Sequence, residues 1–167
     1  MCNTAASLRF PNLALDGVRM GISVYGSEPS KAFDLPLAPV MSLKTEISHV
    51  HTLPAGEKVG YGGSFSSKYD RVLATLPIGY ADGFLRSSYT NGIKLSVRGK
   101  ACDVVGRICM DQSMIDVTEL DDLRIGEEVI VFGKGGCNSL SEFALRNQTI
   151  PYETLCLVGA RVPRVYV

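Results

Sequence analysis

The chain has 167 residues, 46% hydrophobic and 20% charged, which suits one globular domain with a core, or one domain plus part of another. Seventeen basic residues balance seventeen acidic ones, so the charge footprint of a nucleic-acid binder is missing. No apolar run reaches the roughly 18–20 residues that span a bilayer. The first residues lack the basic and apolar regions of a signal peptide. Five cysteines, without a Cys-x-x-Cys pair, predict reduced thiols in a cytoplasmic setting rather than a structural zinc site.

In chain order, residues 1–26 read as a terminal piece of an α/β unit, with Val18–Gly26 as a compact β-leaning segment. Residues 27–39 hold Pro29, Pro36 and Pro39 without periodicity, as a linker would. From Val40 the pattern changes. Val40–Val50 alternates at period two and predicts a strand, on which His49 and His51 share a face and read as a surface pair. Further strands are predicted at Arg71–Ile78, Ile93–Val97, Lys100–Val105, Ser113–Val117 and Glu128–Phe132, with Arg98-Gly99 as a hairpin turn. Short strands at this spacing predict a mostly β, barrel- or sandwich-like domain. One helix opens at the capping box Ser139-Leu140-Ser141-Glu142, with Leu140, Phe143, Ala144 and Leu145 as its apolar stripe. A shorter one begins near Pro151 and ends at Gly159.

Against this β background stands Val59-Gly60-Tyr61-Gly62-Gly63-Ser64-Phe65, after the turn signal Leu53-Pro54-Ala55-Gly56-Glu57. Glycines let the backbone take positive φ and approach a ligand closely. The stretch reads either as a Gly-rich hairpin with a half-buried aromatic or as a loop that presents a phenol. Two more tyrosine patches recur, Ile78-Gly79-Tyr80-Ala81-Asp82-Gly83 and Ile150-Pro151-Tyr152-Glu153. Between them lies Val105-Gly106-Arg107-Ile108-Cys109-Met110-Asp111-Gln112.

Together with Asn3-Thr4-Ala5-Ala6, Val18-Arg19-Met20-Gly21-Ile22, Pro39–Lys44 and the closing Arg161-Val162-Pro163-Arg164-Val165-Tyr166-Val167, these patches resemble, in order and spacing, the C-terminal part of alanine racemases. Those are fold-type III isomerases that use pyridoxal 5′-phosphate and make D-alanine for peptidoglycan, the bacterial cell wall. The resemblance implies that residues 1–38 are the last portion of a cofactor-binding (β/α)8 barrel plus linker, and 39–167 the C-terminal β domain. It also implies a homodimer in which the β domain of one subunit covers the barrel of the other.

The resemblance assigns Tyr61 as the catalytic tyrosine, working across the dimer interface as one of two bases. Racemisation removes a proton from one face of the α-carbon and delivers one to the other, which a single base cannot readily do. A free phenol ionises near pH ~10, so such a base needs positive charge beside it. Arg107 and Arg86 match residues lining the substrate approach, Tyr80 and Tyr152 its narrow inner gate. Met110 matches a residue whose backbone amide meets the substrate carboxylate. Arg19 matches the arginine facing the pyridine nitrogen of the cofactor. A guanidinium keeps its proton, leaving the ring a weaker electron sink. Thr4, Gly21 and Ile22 match the phosphate cup, which Tyr152 also reaches. Thr4 stands where serine is commoner in the family, and Met20 where proline or phenylalanine is frequent.

The family's cofactor lysine lies near the start of its barrel, and Lys31 and Lys44 match nothing catalytic. The chain therefore reads as a C-terminal fragment, expected to be inactive alone and to bind the cofactor weakly or not at all. Serine racemases share these motifs, and a non-catalytic β interaction module is the alternative from another class. A related decarboxylase class carries a different, cysteine-containing catalytic stretch, whereas Cys109 follows the racemase pattern.

Overall fold

The computed structural model describes residues 1–167 except Lys31 and Phe33, so Lys31 lies outside the described residues. The chain divides into two compact units, Met1–Ser42 and Leu43–Val167.

In the first unit β1 (Cys2–Asn3) runs straight into α1 (Thr4–Arg9), and the chain returns to β2 (Val18–Arg19), which lies parallel to β1 with Cys2 opposite Val18. The Asn3 side chain starts the helix by accepting the Ala6 amide at 2.9 Å, filling one of the donors every helix start leaves open. The β-leaning segment Val18–Gly26 keeps only two strand residues, followed by a 3-10 turn at Ile22–Tyr25. The Gly21 amide donates to the Thr4 hydroxyl at 2.8 Å and leaves the ladder. At Gly26, φ is +76° and a Cβ would sit 1.9 Å from the Ala38 carbonyl oxygen, so only glycine fits this crossing.

The second unit is mostly β. Its strands are β3 (Leu43–Glu46), β4 (His49–Leu53), β5 (Lys58–Val59), β6 (Phe65–Ser66), β7 (Arg71–Leu76), β8 (Lys94–Val97), β9 (Lys100–Asp103), β10 (Ser113–Asp116) and β11 (Glu128–Phe132). They form a four-stranded sheet in the order β3-β11-β8-β9, a three-stranded sheet β10-β7-β4, and the small hairpin β5-β6. The ladders do not close into one barrel. The two larger sheets instead meet at two corners. At one, the strand expected to run unbroken over Val40–Val50 changes sheets at Ile47–Ser48: Ile47 donates to Glu127 O at 2.9 Å, Ser48 to Thr75 O at 2.9 Å. At the other, Val104 bridges Ile115, and Val105 donates to Met114 O at 2.9 Å. Strands that switch sheets at a bend are how packed sheets build corners.

The alternation of the strands fills the interior with Leu43, Ile47, Leu73, Leu76, Leu95, Val97, Ile115, Val129 and Phe132, all essentially inaccessible. α2 (Leu140–Arg146) starts at the reciprocal Ser139–Glu142 box and inserts Phe143 beside Phe132, ring centroids 5.3 Å apart. Leu145, assigned to the apolar stripe by spacing, faces out. α3 (Pro151–Leu157) opens on its proline and stops short of Gly159. No helix among the described residues is long and apolar enough to cross a membrane.

β8 and β9 turn through Arg98 (φ +50°) and Gly99 (φ +78°), the two positive-φ residues a type I′ hairpin needs. On β4, an edge strand, His49 and His51 stack with centroids 5.5 Å apart. His49 is exposed, while His51 is half-buried with Nδ1 unpartnered among the described residues, so only the first fits the surface-pair expectation. Burial, then the neighbouring His49, lowers the His51 pKa below the usual 6.5. The unfolded chain therefore takes up this proton at higher pH than the folded one, and the stability is present above about pH 6.5 and lost as pH falls through the folded value. Urea unfolding midpoints should decline from pH 7.5 to pH 5, and His51→Leu should flatten that decline. An equal slope in the variant would remove His51 as the cause.

Candidate functional site

The Tyr61 loop is the tip of the β5–β6 hairpin. Gly60, Gly62 and Gly63 take φ of +80°, +70° and +61°, and Gly63 donates to Gly60 O at 2.9 Å to close the turn. Three left-handed residues leave the tyrosine between them no core to enter, and Tyr61 is 68% exposed. The loop itself is anchored. The Arg107 amide donates to Ser64 Oγ at 2.9 Å, and the Tyr89 hydroxyl to Ser64 O at 2.7 Å. The Arg107 guanidinium reaches the Tyr61 carbonyl oxygen at 3.5 Å. A Cβ on Gly60 would stand 3.0 Å from the Gly106 Cα, so the hairpin lies directly on the 106–107 backbone. Val59, Phe65 and Met114 pack on Leu53, Leu73 and Val105 at its base. The loop thus carries an exposed phenol on a fixed apolar seat, with a cation beside its main chain.

The Tyr80 patch is held still more closely. Tyr80 donates to Cys109 O at 3.1 Å and Ala81 to Met110 O at 3.0 Å. Asp82, 8% exposed, accepts the Gly79 amide through Oδ2 at 2.9 Å. Its Oδ1 accepts Arg161 Nε at 2.6 Å, and Arg161 Nη2 reaches Asp111 Oδ1 at 2.5 Å. The hydrogen bond with Asp82, then that with Asp111, raises the arginine's pKa further above its ordinary value. Gly83 (φ +98°) would put a Cβ 2.7 Å from Leu157 O, at the end of the helix that bears Tyr152. Tyr80, Met110 and Tyr152, exposed by 44%, 54% and 42%, thus sit on three segments that the 79–83 turn joins. Arg86 is exposed at the start of a 3-10 turn, whose buried Ser88 donates to Asn147 Oδ1 at 2.8 Å. Arg86 and Arg107 make no ion pair among the described residues.

In Met1–Ser42, Thr4 follows β1 and Gly21–Ile22 follow β2, at the carboxyl ends of two parallel strands, where open α/β sheets hold ligands. Thr4 Oγ1 accepts the Gly21 amide and keeps its own proton to donate. Ile22 opens a 3-10 turn, so its amide has no acceptor inside it. Arg19 is exposed on β2. A hydroxyl, a turn-opening amide and a guanidinium are donor types that suit an anionic group such as a phosphate. Among the described residues no cluster of three His, Cys, Asp or Glu could hold a metal ion.

Sequence reading found the bearers of these groups but missed their anchors: Ser64, Tyr89, Asp82, Asp111 and Arg161. Four of the five, all but Tyr89, lie inside motifs already singled out. Their pairing across 79 and 50 residues leaves no periodic signal.

Residues 40–166 match the family described as "Alanine racemase, C-terminal domain". The chain belongs to that family. It is 45% identical over its whole length to the alanine racemase of Clostridium tetani and 46% identical over 99% of its length to that of Methanococcus maripaludis. It covers 44% and 45% of those two proteins, so the chain spans less than half the length of these curated relatives. Among solved structures, the alanine racemase of Clostridium difficile 630 superposes with a TM-score of 0.92 at 41% identity, over 99% of this chain and 44% of that one. The alanine racemase of Bacillus anthracis, solved with bound L-Ala-P, gives 0.91 at 35% identity over 99% and 44%.

A Cβ on Gly79 would lie 2.3 Å from Met110 O and 2.4 Å from Cys109 O, both main-chain atoms. Gly79→Ala is therefore expected to cost about 1–3 kcal/mol of unfolding free energy, as overpacking does, measured by urea denaturation. An unchanged midpoint would show that the 79–83 turn does not need this contact.

Proposed function

We propose that this chain supplies the tyrosine half of a two-base amino-acid racemase that interconverts L- and D-alanine, with Tyr61 the acid–base group on one face of the α-carbon. The observation that carries the reading is the exposed phenol on a glycine-built, firmly seated hairpin beside Arg107. Family membership and the length relation to the racemases support it. So does the L-Ala-P bound in the Bacillus anthracis relative, which favours alanine over serine as substrate.

Tyr61 Oη would take the α-proton from one side or return it, while a lysine of the barrel serves the other side. Arg107, whose guanidinium reaches the Tyr61 main-chain carbonyl, would help hold the loop that offers the phenol. The Met110 amide would receive the substrate carboxylate. Arg86 and Arg107 would attract that carboxylate on its way in, and Tyr80 with Tyr152 would narrow the entrance to a small side chain. Thr4, Gly21 and Ile22 would hold the phosphate of pyridoxal 5′-phosphate, and Arg19 would face its ring nitrogen without giving up a proton. When bound, that cofactor supplies the electron sink that makes the α-C–H acidic. Residues 1–38 are then the closing part of the cofactor barrel and 39–167 the β domain. The working enzyme is a cytoplasmic homodimer in which each β domain covers the partner's barrel.

Two outcomes follow. The purified chain alone should neither racemise L-alanine nor bind pyridoxal 5′-phosphate appreciably, and measurable D-alanine from it would refute the division of labour. Mixed with a separately expressed barrel half, it should form D-alanine from L-alanine in a coupled oxidase assay, run beside L-serine as competitor. Tyr61→Phe should then lower the rate by about a hundred-fold or more, the scale of a lost acid–base group. A phenylalanine variant as active as the parent would leave Tyr61 without its role.

A further inference from the structure

The Arg161 side chain touches two of the segments bearing proposed substrate contacts. Its Nε binds Asp82, inside the Tyr80 turn, and its Nη2 binds Asp111, the residue after Met110. Asp82 passes this restraint on through Oδ2, which holds the Gly79 amide. Behind Gly79 the turn rests on the Cys109 and Met110 carbonyls through the Tyr80 and Ala81 amides. A second arginine closes the same stretch from the other end. Arg164 Nη2 donates to Val158 O at 2.8 Å and its Nη1 to Val162 O at 2.6 Å, fixing the tail that carries Arg161 just after the Tyr152 helix.

We infer that Arg161 is a positioning residue for the substrate end of the site: its forked bond to Asp82 and Asp111 sets the separation of the Tyr80 turn from the Met110 amide. The inference rests on the racemase reading for the roles of Tyr80 and Met110, but the tether itself is independent of it. The fork matters chemically. Two donors on one rigid plane meet two carboxylates on different segments, which a lysine's single ammonium on a flexible stem cannot reproduce. Asp82 is nearly buried, so loss of its partner leaves a desolvated carboxylate that the turn can relieve only by opening. Opening would move Tyr80 and Met110 apart without touching the phenol of Tyr61. Substrate capture should therefore suffer more than the proton transfer.

The test combines amide hydrogen exchange on the chain with kinetics on the pair reconstituted with the barrel half. In Arg161→Gln the amides of Gly79, Tyr80 and Ala81 should exchange about ten-fold faster, the scale of a lost charge-assisted bond. Those of β7 and β10 should not change. Arg161→Lys should behave alike, and Asp111→Asn, which cuts one arm on an exposed carboxylate, should give a smaller effect at the same three amides. In the reconstituted pair, Arg161→Gln should raise KM for alanine about ten-fold with kcat within about two-fold. Unchanged exchange at residues 79–81 overturns the tether. Faster exchange with unchanged KM overturns its role in positioning. A fall in kcat alone does the same. Failure of the racemase reading shows separately, as an inactive pair with Arg161 intact, and the exchange result still decides the tether.

Discussion

Main-chain contacts that leave little or no room for a Cβ bring the tyrosine-bearing turns onto the 105–111 segment. Gly79 lies on the Cys109 and Met110 carbonyls, and Gly60 lies on Gly106. Both contacts bring loop backbones together without side chains between them, so the loops inherit the rigidity of the sheet corner at Val104–Ile115 just before. Elsewhere loops owe their order to packed side chains, which can repack. Here the restraint is a pair of amide–carbonyl bonds and an excluded methyl group, which leaves little room for adjustment. The proposed roles of the Tyr61 phenol and the Met110 amide would both gain from that stiffness.

The same economy explains why the domain is built from two open sheets that share a bent strand. Ile47 is fully buried at the bend, and its amide and carbonyl are met by the 126–127 main chain. The bend costs no orphaned donor. It turns the first sheet into the second and leaves the 59–65 hairpin and the 104–111 segment side by side. Fold and site meet in that corner: β10 anchors the start of the segment that presents Arg107 and Met110, and β7 leads directly into Gly79.

What the sequence made legible was local. The Arg98-Gly99 hairpin follows from the φ demands of two adjacent residues, and the Ser139–Glu142 box from a reciprocal pair three residues apart. The glycines around Tyr61 left a half-buried and an exposed phenol both open, and the structure has the exposed one. What stayed hidden depends on partners far along the chain. The break at Ile47–Ser48 exists because Glu127 and Thr75 compete for neighbouring positions of one alternating run. Val18–Gly26 stops being a strand because a threonine 17 residues earlier takes the Gly21 amide. Leu145 is a different case: two residues from Phe143, or about 200° around the helix, it falls off the buried Leu140–Phe143–Ala144 face, which the helical period itself shows. For the groups of the candidate site, family resemblance named the residues and the structure added what holds them.

The arginines separate by what they touch, and the separation bears on the chemistry. Arg71, Arg98 and Arg161 are bound to carboxylates, and Arg164 to three main-chain carbonyls. Arg19, Arg86 and Arg107 have no carboxylate partner among the described residues. In a chain with no net charge, an unpaired guanidinium is a local field that its surroundings do not cancel. Such a field can draw an anionic group toward the loop that bears it. Arg161 does the opposite work: with both carboxylates satisfied it contributes little net field, and its value is geometric. One arginine bound into a turn and another without a carboxylate partner on the neighbouring segment keep holding and charge on separate side chains, so each can be removed by mutation without the other.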